Sequence, residues 1–69
     1  MNEIKIKDEY IKLGQAMKLS GLSDSGVEAK AVIQNGEVTV NNSVCLERGK
    51  KLHNGDVFEY KGTVVKVIS

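Results

Sequence analysis

Six cations stand where folding could bring them onto one face: Lys12, Lys18, Lys30, Arg48, Lys50 and Lys51. Lysine and arginine side chains carry hydrogen-bond donors only, and their charge suits the phosphate oxygens of a nucleic-acid backbone. Arg48, Lys50 and Lys51 crowd into the stretch from Val44 to His53, where Glu47 is the single acid. Acids gather instead at Asp8-Glu9 and from Asp24 to Glu28. The formal net charge is only +1, so the pattern describes a local basic face on a nearly neutral protein. Lys5, Lys7, Lys61 and Lys66 read as ordinary solvated lysines.

Catalytic chemistry lacks parts. Cys45 and His53 are the only residues of their types. A nucleophile–base pair could be drawn from them, but Cys45 reads as a packed strand residue and His53 as an exposed turn residue. One Cys and one His cannot supply the usual ligand set of a structural zinc site. The glycines form neither G-x-G-x-x-G nor a P-loop. Asp24, Glu28 and Asp56 all have capping or turn explanations. No catalytic residue, metal or cofactor is expected. A lone cysteine also precludes an intramolecular disulfide, which fits a reducing compartment. No apolar run of signal-peptide or membrane-spanning length is present, and a cytoplasmic protein is expected.

The elements that must position the cations follow from periodicity. The chain has 69 residues, enough for a single domain, residues 1–69, that buries only about 60% of its unfolded surface. Residues 2–7 alternate around Ile4 and Ile6, a half-buried strand. Leu13, Ala16 and Met17 follow the helical i, i+3, i+4 spacing, with Lys12, Gln15 and Lys18 on the outer side. Gly21 is placed to end that helix. Ser25-Gly-Val-Glu28 is a capping box opening a second helix. Its apolar face is Ala29, Val32 and Ile33, with Lys30 directed away, and Asn35-Gly36 closes it. Glu37 to Val40 alternates as a strand. Asn41-Asn42 suits a two-residue turn with positive φ at both positions, and Val44 and Leu46 lie on the return strand. Glu47 to Lys51 is a polar loop, Leu52 an isolated apolar plug and Asn54-Gly55-Asp56 a turn. Residues 57–68 form a final hairpin about Lys61-Gly62. The predicted fold is α+β, with two antiparallel helices packed on a small antiparallel sheet of four to five strands.

These residues resemble the RNA-binding domain named after ribosomal protein S-four, also called the αL motif. The resemblance rests on Leu13, Met17, Ser25, Ala29, Lys30, Ile33, Gly36, Val38, Val40, Asn41, Gly55, Asp56 and Val57, in order and at matching spacing. It spans about Ile11 to Tyr60, residues 11–60. The stand-alone bacterial members of YaaA/YbcJ type are most similar, sharing the Lys-Leu-Gly-Gln opening, the Gly-x-Glu-Ala-Lys middle and the Arg-Gly-x-Lys-Leu loop. The resemblance implies an RNA surface made by the two helices and the following loop, with contacts at Lys12, Lys30 and the Arg48–Lys51 loop. Gly26 stands where many members carry an arginine, Gly14 where an aspartate is common and Asn42 where a turn glycine is usual. The arginine's absence removes a fork-shaped phosphate donor.

The expected function is non-catalytic binding of structured RNA, ribosomal RNA or a ribosomal particle foremost, by a monomer. Lys12, Lys18, Lys30, Arg48, Lys50 and Lys51 would contact phosphates, and the Ser25 and Gly26 amides at the start of the second helix could donate to a phosphate oxygen. No aromatic is expected on this face, so recognition should follow RNA shape. No membrane contact and no DNA preference are inferred. The alternative is a protein-interaction module that docks on a protein partner through its sheet or helices.

Overall fold

The fold is described from a computed structural model that covers residues 2–69; residue 1 of the expected 1–69 domain lies outside the described residues. Strand β1 (Asn2–Lys5) is followed by a two-residue strand β2 (Ile11–Lys12), helix α1 (Leu13–Leu19) and helix α2 (Gly26–Gln34). Strands β3 (Val38–Val40), β4 (Ser43–Val44), β5 (Lys51–Leu52), β6 (Val57–Tyr60) and β7 (Thr63–Ile68) complete the chain. Five strands form a sheet in the order β1-β7-β6-β3-β4, and β2 pairs with β5 in a separate antiparallel ribbon.

Both helices end in the way their glycines predict. After α1, Gly21 takes φ 80°, its N–H donates to the Lys18 carbonyl and the Leu22 N–H donates to Met17. After α2, Gly36 takes φ 79°, with Gly36 N–H donating to Ile33 and Glu37 N–H to Val32. These are paired Schellman bonds, which satisfy carbonyls that a helix end otherwise leaves bare. At the start of α2 the Ser25 hydroxyl accepts from the Glu28 N–H at 3.1 Å, a cap worth about 1 kcal/mol. Of the reciprocal box, the Ser25 half is formed.

The apolar faces meet as the periodicities require. Leu13, Ala16 and Met17 of α1 and Ala29 and Ile33 of α2 are fully buried with Val38, Leu52, Val65 and Val67, while Phe58 is all but fully buried. Leu52, read from the sequence as an isolated plug, is a strand residue opposite Ile11. A two-residue strand is too short to show period-2 alternation, so this ribbon leaves no sequence pattern.

The expectation of a wholly antiparallel sheet is corrected. β1 runs parallel to β7, with Ile4 opposite Val67, so the sheet is mixed. Alternation marks a strand and its buried face but not the direction of its partner. A parallel pair needs a long crossover, and here both helices lie between the paired strands. The first strand is also shorter than 2–7, although the Ile6 N–H still donates to Ile68 at 2.8 Å. Likewise β4 ends at Val44. Cys45 stays attached through its N–H to the Val38 carbonyl and packs half-buried against the core, whereas Leu46 is exposed.

Two hairpins turn on non-glycine residues with positive φ: Asn41 and Asn42 at 50° and 71°, and Lys61 at 49° before Gly62. The first is clasped to β6. The Asn41 side-chain amide donates to the Asp56 carboxylate at 3.1 Å, and the Asn41 side-chain oxygen accepts from the Val57 N–H at 3.0 Å. Asp56 also accepts from the His53 N–H at 2.7 Å. That backbone donor, foremost, holds the Asp56 carboxyl below its ordinary pKa, against a smaller upward push from burial and with further help from Asn41. A folded-state pKa below the unfolded value, about 3.9, contributes stability above that value. The contribution is lost as pH falls through the lowered folded value. Asp56→Asn is therefore expected to destabilise the protein more at about pH 6 than at about pH 3. Urea unfolding at the two pH values checks this, and an equal loss at both would contradict it.

Candidate nucleic-acid interface

The site is built where the start of α1 meets the loop before β5. Lys12 is the N-cap residue of α1, extended at φ −75° and ψ 144°, with no side-chain cap. Backbone carbonyls do the capping instead. The Leu13 N–H donates to the Lys50 carbonyl at 2.8 Å, and the Gly14 N–H donates to the Arg48 carbonyl at 2.9 Å. The loop is thus tied to the helix by backbone groups that nearly every residue type carries. A Cβ on Gly14 would lie 3.5 Å from the Arg48 Cβ and carbonyl oxygen, ordinary contact, so the glycine is not demanded by space.

An open cleft of about 820 Å³ lies at this junction, lined by Lys12, Gln15, Lys18, Gly26 and Arg48. It brings together four residues picked out from the sequence. Lys12 does not ride on the outer side of the helix as expected; it precedes the helix in β2. There it pairs directly with Lys51 of β5. Like charges opposite each other in a ribbon are unfavourable. Gly26 opens α2 at the cleft, and a Cβ there would have nothing within 4 Å.

The remaining expected residues are not gathered there. Lys50 borders a smaller depression of about 470 Å³ together with Val44 and Leu46. Ser25, the N-cap of α2, and Lys30 on the helix are exposed outside the cleft lining, with the Ser25 hydroxyl engaged in its cap.

Sequence reasoning missed one residue and misjudged the face because of it. Tyr10 lines the cleft, 36% exposed, with the Lys51 ammonium 4.8 Å from its ring centroid. The expectation of a face without aromatics is corrected. Tyr10 belongs to no periodic segment, and its only signal is that it immediately precedes Ile11. Asp8 and Glu9 line the same cleft.

Cys45 and His53 are occupied separately. The thiol donates to the Glu47 carbonyl at 3.5 Å, and His53 Nδ1 lies 3.8 Å from the Asp56 carboxylate. Among the described residues no three His, Cys, Asp or Glu side chains gather as metal ligands, and no helix is long and apolar enough to cross a membrane.

Comparison with known proteins gives consistent matches. The family model described as the S4 domain matches residues 4–68. A Bacillus subtilis (strain 168) protein named as a ribosome maturation protein, RlbA, is 44% identical over 61 residues, covering 88% of this chain and 86% of the relative. An Escherichia coli (strain K12) protein named as RNA-binding, YbcJ, is 32% identical over 63 residues, covering 91% and 90%. The solution structure of E. coli YbcJ, described as revealing an αL motif involved in RNA-binding, superposes with a TM-score of 0.77 at 30% identity. That superposition covers 100% of this chain and 89% of the other.

Proposed function

This chain belongs to the S4 domain family, and on that premise we propose that it is a small, non-catalytic protein that binds structured RNA. The observation that carries the proposal is the convergence of Lys12, Lys18 and Arg48 with the open start of α2 at Gly26 on one cleft. Cations from two distant stretches meet there, and the first turn of α2, where the Ser25 hydroxyl takes up only the Glu28 N–H, offers further N–H donors beside them. The cations would track phosphates, with Lys51 adding charge from its position opposite Lys12 and Lys30, Lys50 and Ser25 contacting RNA outside the cleft. Such contacts position RNA without reading its bases.

Ribosomal RNA or a ribosomal particle is the RNA we favour, supported by the name of the B. subtilis relative. The protein would act as one RNA-binding unit over residues 1–69, as a monomer in the cytoplasm, without a cofactor and without preference for DNA. With glycine at position 26, where an arginine fork is common in the family, the grip rests on lysine point charges and the single guanidinium of Arg48 and is moderate in strength.

Filter binding to ribosomal RNA fragments across a salt series tests the proposal. The three cleft cations alone contribute roughly −2 to −3 to the log–log salt slope, and Lys30, Lys50 and Lys51 steepen it further. Affinity independent of salt would refute the phosphate mechanism. A second reading is docking on a protein partner, favoured by Val44 and Leu46, which are 60% and 57% exposed at the β4 edge of the sheet. Affinity purification with and without ribonuclease separates the two, since only protein contacts survive the nuclease.

A further inference from the structure

Tyr10 has no role in the phosphate contacts. It is a large aromatic left 36% exposed in an irregular stretch, yet it is held in place. The Lys51 ammonium lies over one face of its ring, and the His53 ring is 6.1 Å away, tilted by 52°. Both partners come from β5 or the residue after it, just beyond Arg48 and Gly49, which line the cleft.

The charges around Tyr10 differ from those around Arg48. Asp8 and Glu9 line the cleft beside Tyr10. Carboxylates repel phosphate but accept hydrogen bonds from the amino groups of adenine, guanine and cytosine. This part of the cleft therefore suits a flat, uncharged group that carries N–H donors. Lys12 and Arg48 in the same cleft suit the phosphates attached to it. The volume of about 820 Å³ falls in the range of pockets that accept a ligand of nucleotide size.

We propose that the cleft receives one unpaired, amino-bearing nucleobase of the bound RNA, stacked on the Tyr10 ring, while Lys12 and Arg48 hold the flanking phosphates. A base on the ring face opposite Lys51 completes a cation–ring–base stack. The inference rests on the RNA-binding reading and adds to it a local RNA feature, a bulged or looped-out base, in place of recognition by helical shape alone.

The chain has two tyrosines, so Tyr60→Phe leaves Tyr10 as the sole tyrosine fluorophore. The probes are an RNA hairpin with one bulged adenosine, the same hairpin fully paired, and adenosine monophosphate. At low salt the bulged hairpin is expected to quench Tyr10 and to bind roughly 5- to 150-fold more tightly than the paired one, the range typical of one base–aromatic stack. Tyr10→Ala should abolish the preference and Tyr10→Phe keep it, while Arg48→Ala weakens both hairpins by similar factors. Equal affinity for the two hairpins, or a preference that survives Tyr10→Ala, overturns base stacking and leaves RNA binding intact. Quenching by adenosine monophosphate at the concentrations that suffice for the bulged hairpin overturns it in favour of a free-nucleotide site. Failure to bind either hairpin overturns the RNA-binding reading and this inference together.

Discussion

Alanine at Lys12, Lys18 and Arg48 together is expected to lower affinity for structured RNA by on the order of 100-fold, at about 1 kcal/mol for each exposed, charge-assisted contact. The three line one cleft, so a single stretch of RNA backbone can engage them at once. The log–log salt slope should flatten by roughly 2 to 3, because each lost phosphate contact stops releasing a counterion. All three side chains are exposed, so the fold is expected to survive the change. Removing Lys12 even relieves its repulsion with Lys51 across the β2–β5 ribbon. The control is Lys5→Ala with Lys66→Ala, on β1 and β7. If the control flattens the slope as much per charge as the triple variant, general charge rather than the cleft holds the RNA.

The second large effect is on stability. Leu52→Ala is expected to cost about 2 to 5 kcal/mol, the range for truncating a buried leucine. Leu52 is fully buried and pairs with Ile11 across the ribbon that ties the cationic loop to α1. A protein of this size has a total stability of only about 3 to 10 kcal/mol, so this one change could consume much of it. Urea unfolding measures the loss. Amide exchange should quicken at Leu13 and Gly14, whose N–H groups donate to the Lys50 and Arg48 carbonyls. Leu46→Ala, at a position 57% exposed, is the matched control and should change stability little. A Leu52 variant as stable as the Leu46 variant would show that the ribbon does not anchor the loop.

The family resemblance read from Leu13, Ser25, Ala29, Asn41 and Asp56 is borne out by the S4 domain match over residues 4–68. Several of those motif residues have a visible structural task. Ser25 caps α2, and Asn41 and Asp56 clasp the first hairpin to β6. Much of what makes the family recognisable therefore builds the scaffold. The candidate site was legible only in part. Lys12, Lys18, Gly26 and Arg48 share the cleft, but Lys50, two residues from Arg48, borders a different depression. A run of cations in an irregular loop carries no periodicity from which side-chain directions could be read. Tyr10 escaped notice for the same reason.

The sequence by itself determined the local devices. Two short apolar periodicities, each stopped by a glycine free to take positive φ, specify α1 and α2. Asn41-Asn42 and Lys61-Gly62 specify the hairpins, and Ser25 specifies the start of α2. Each depends on residues within one or two turns of chain, so composition and spacing carry the signal. Only the tertiary structure decided that β1 lies parallel to β7, that β2 pairs with β5, and that Tyr10 joins Lys12 and Arg48 at one cleft. Those arrangements join segments tens of residues apart, and the joints themselves are largely backbone hydrogen bonds. Backbone N–H and C=O groups are the same in nearly every residue, so such joints leave no mark in the order of side chains.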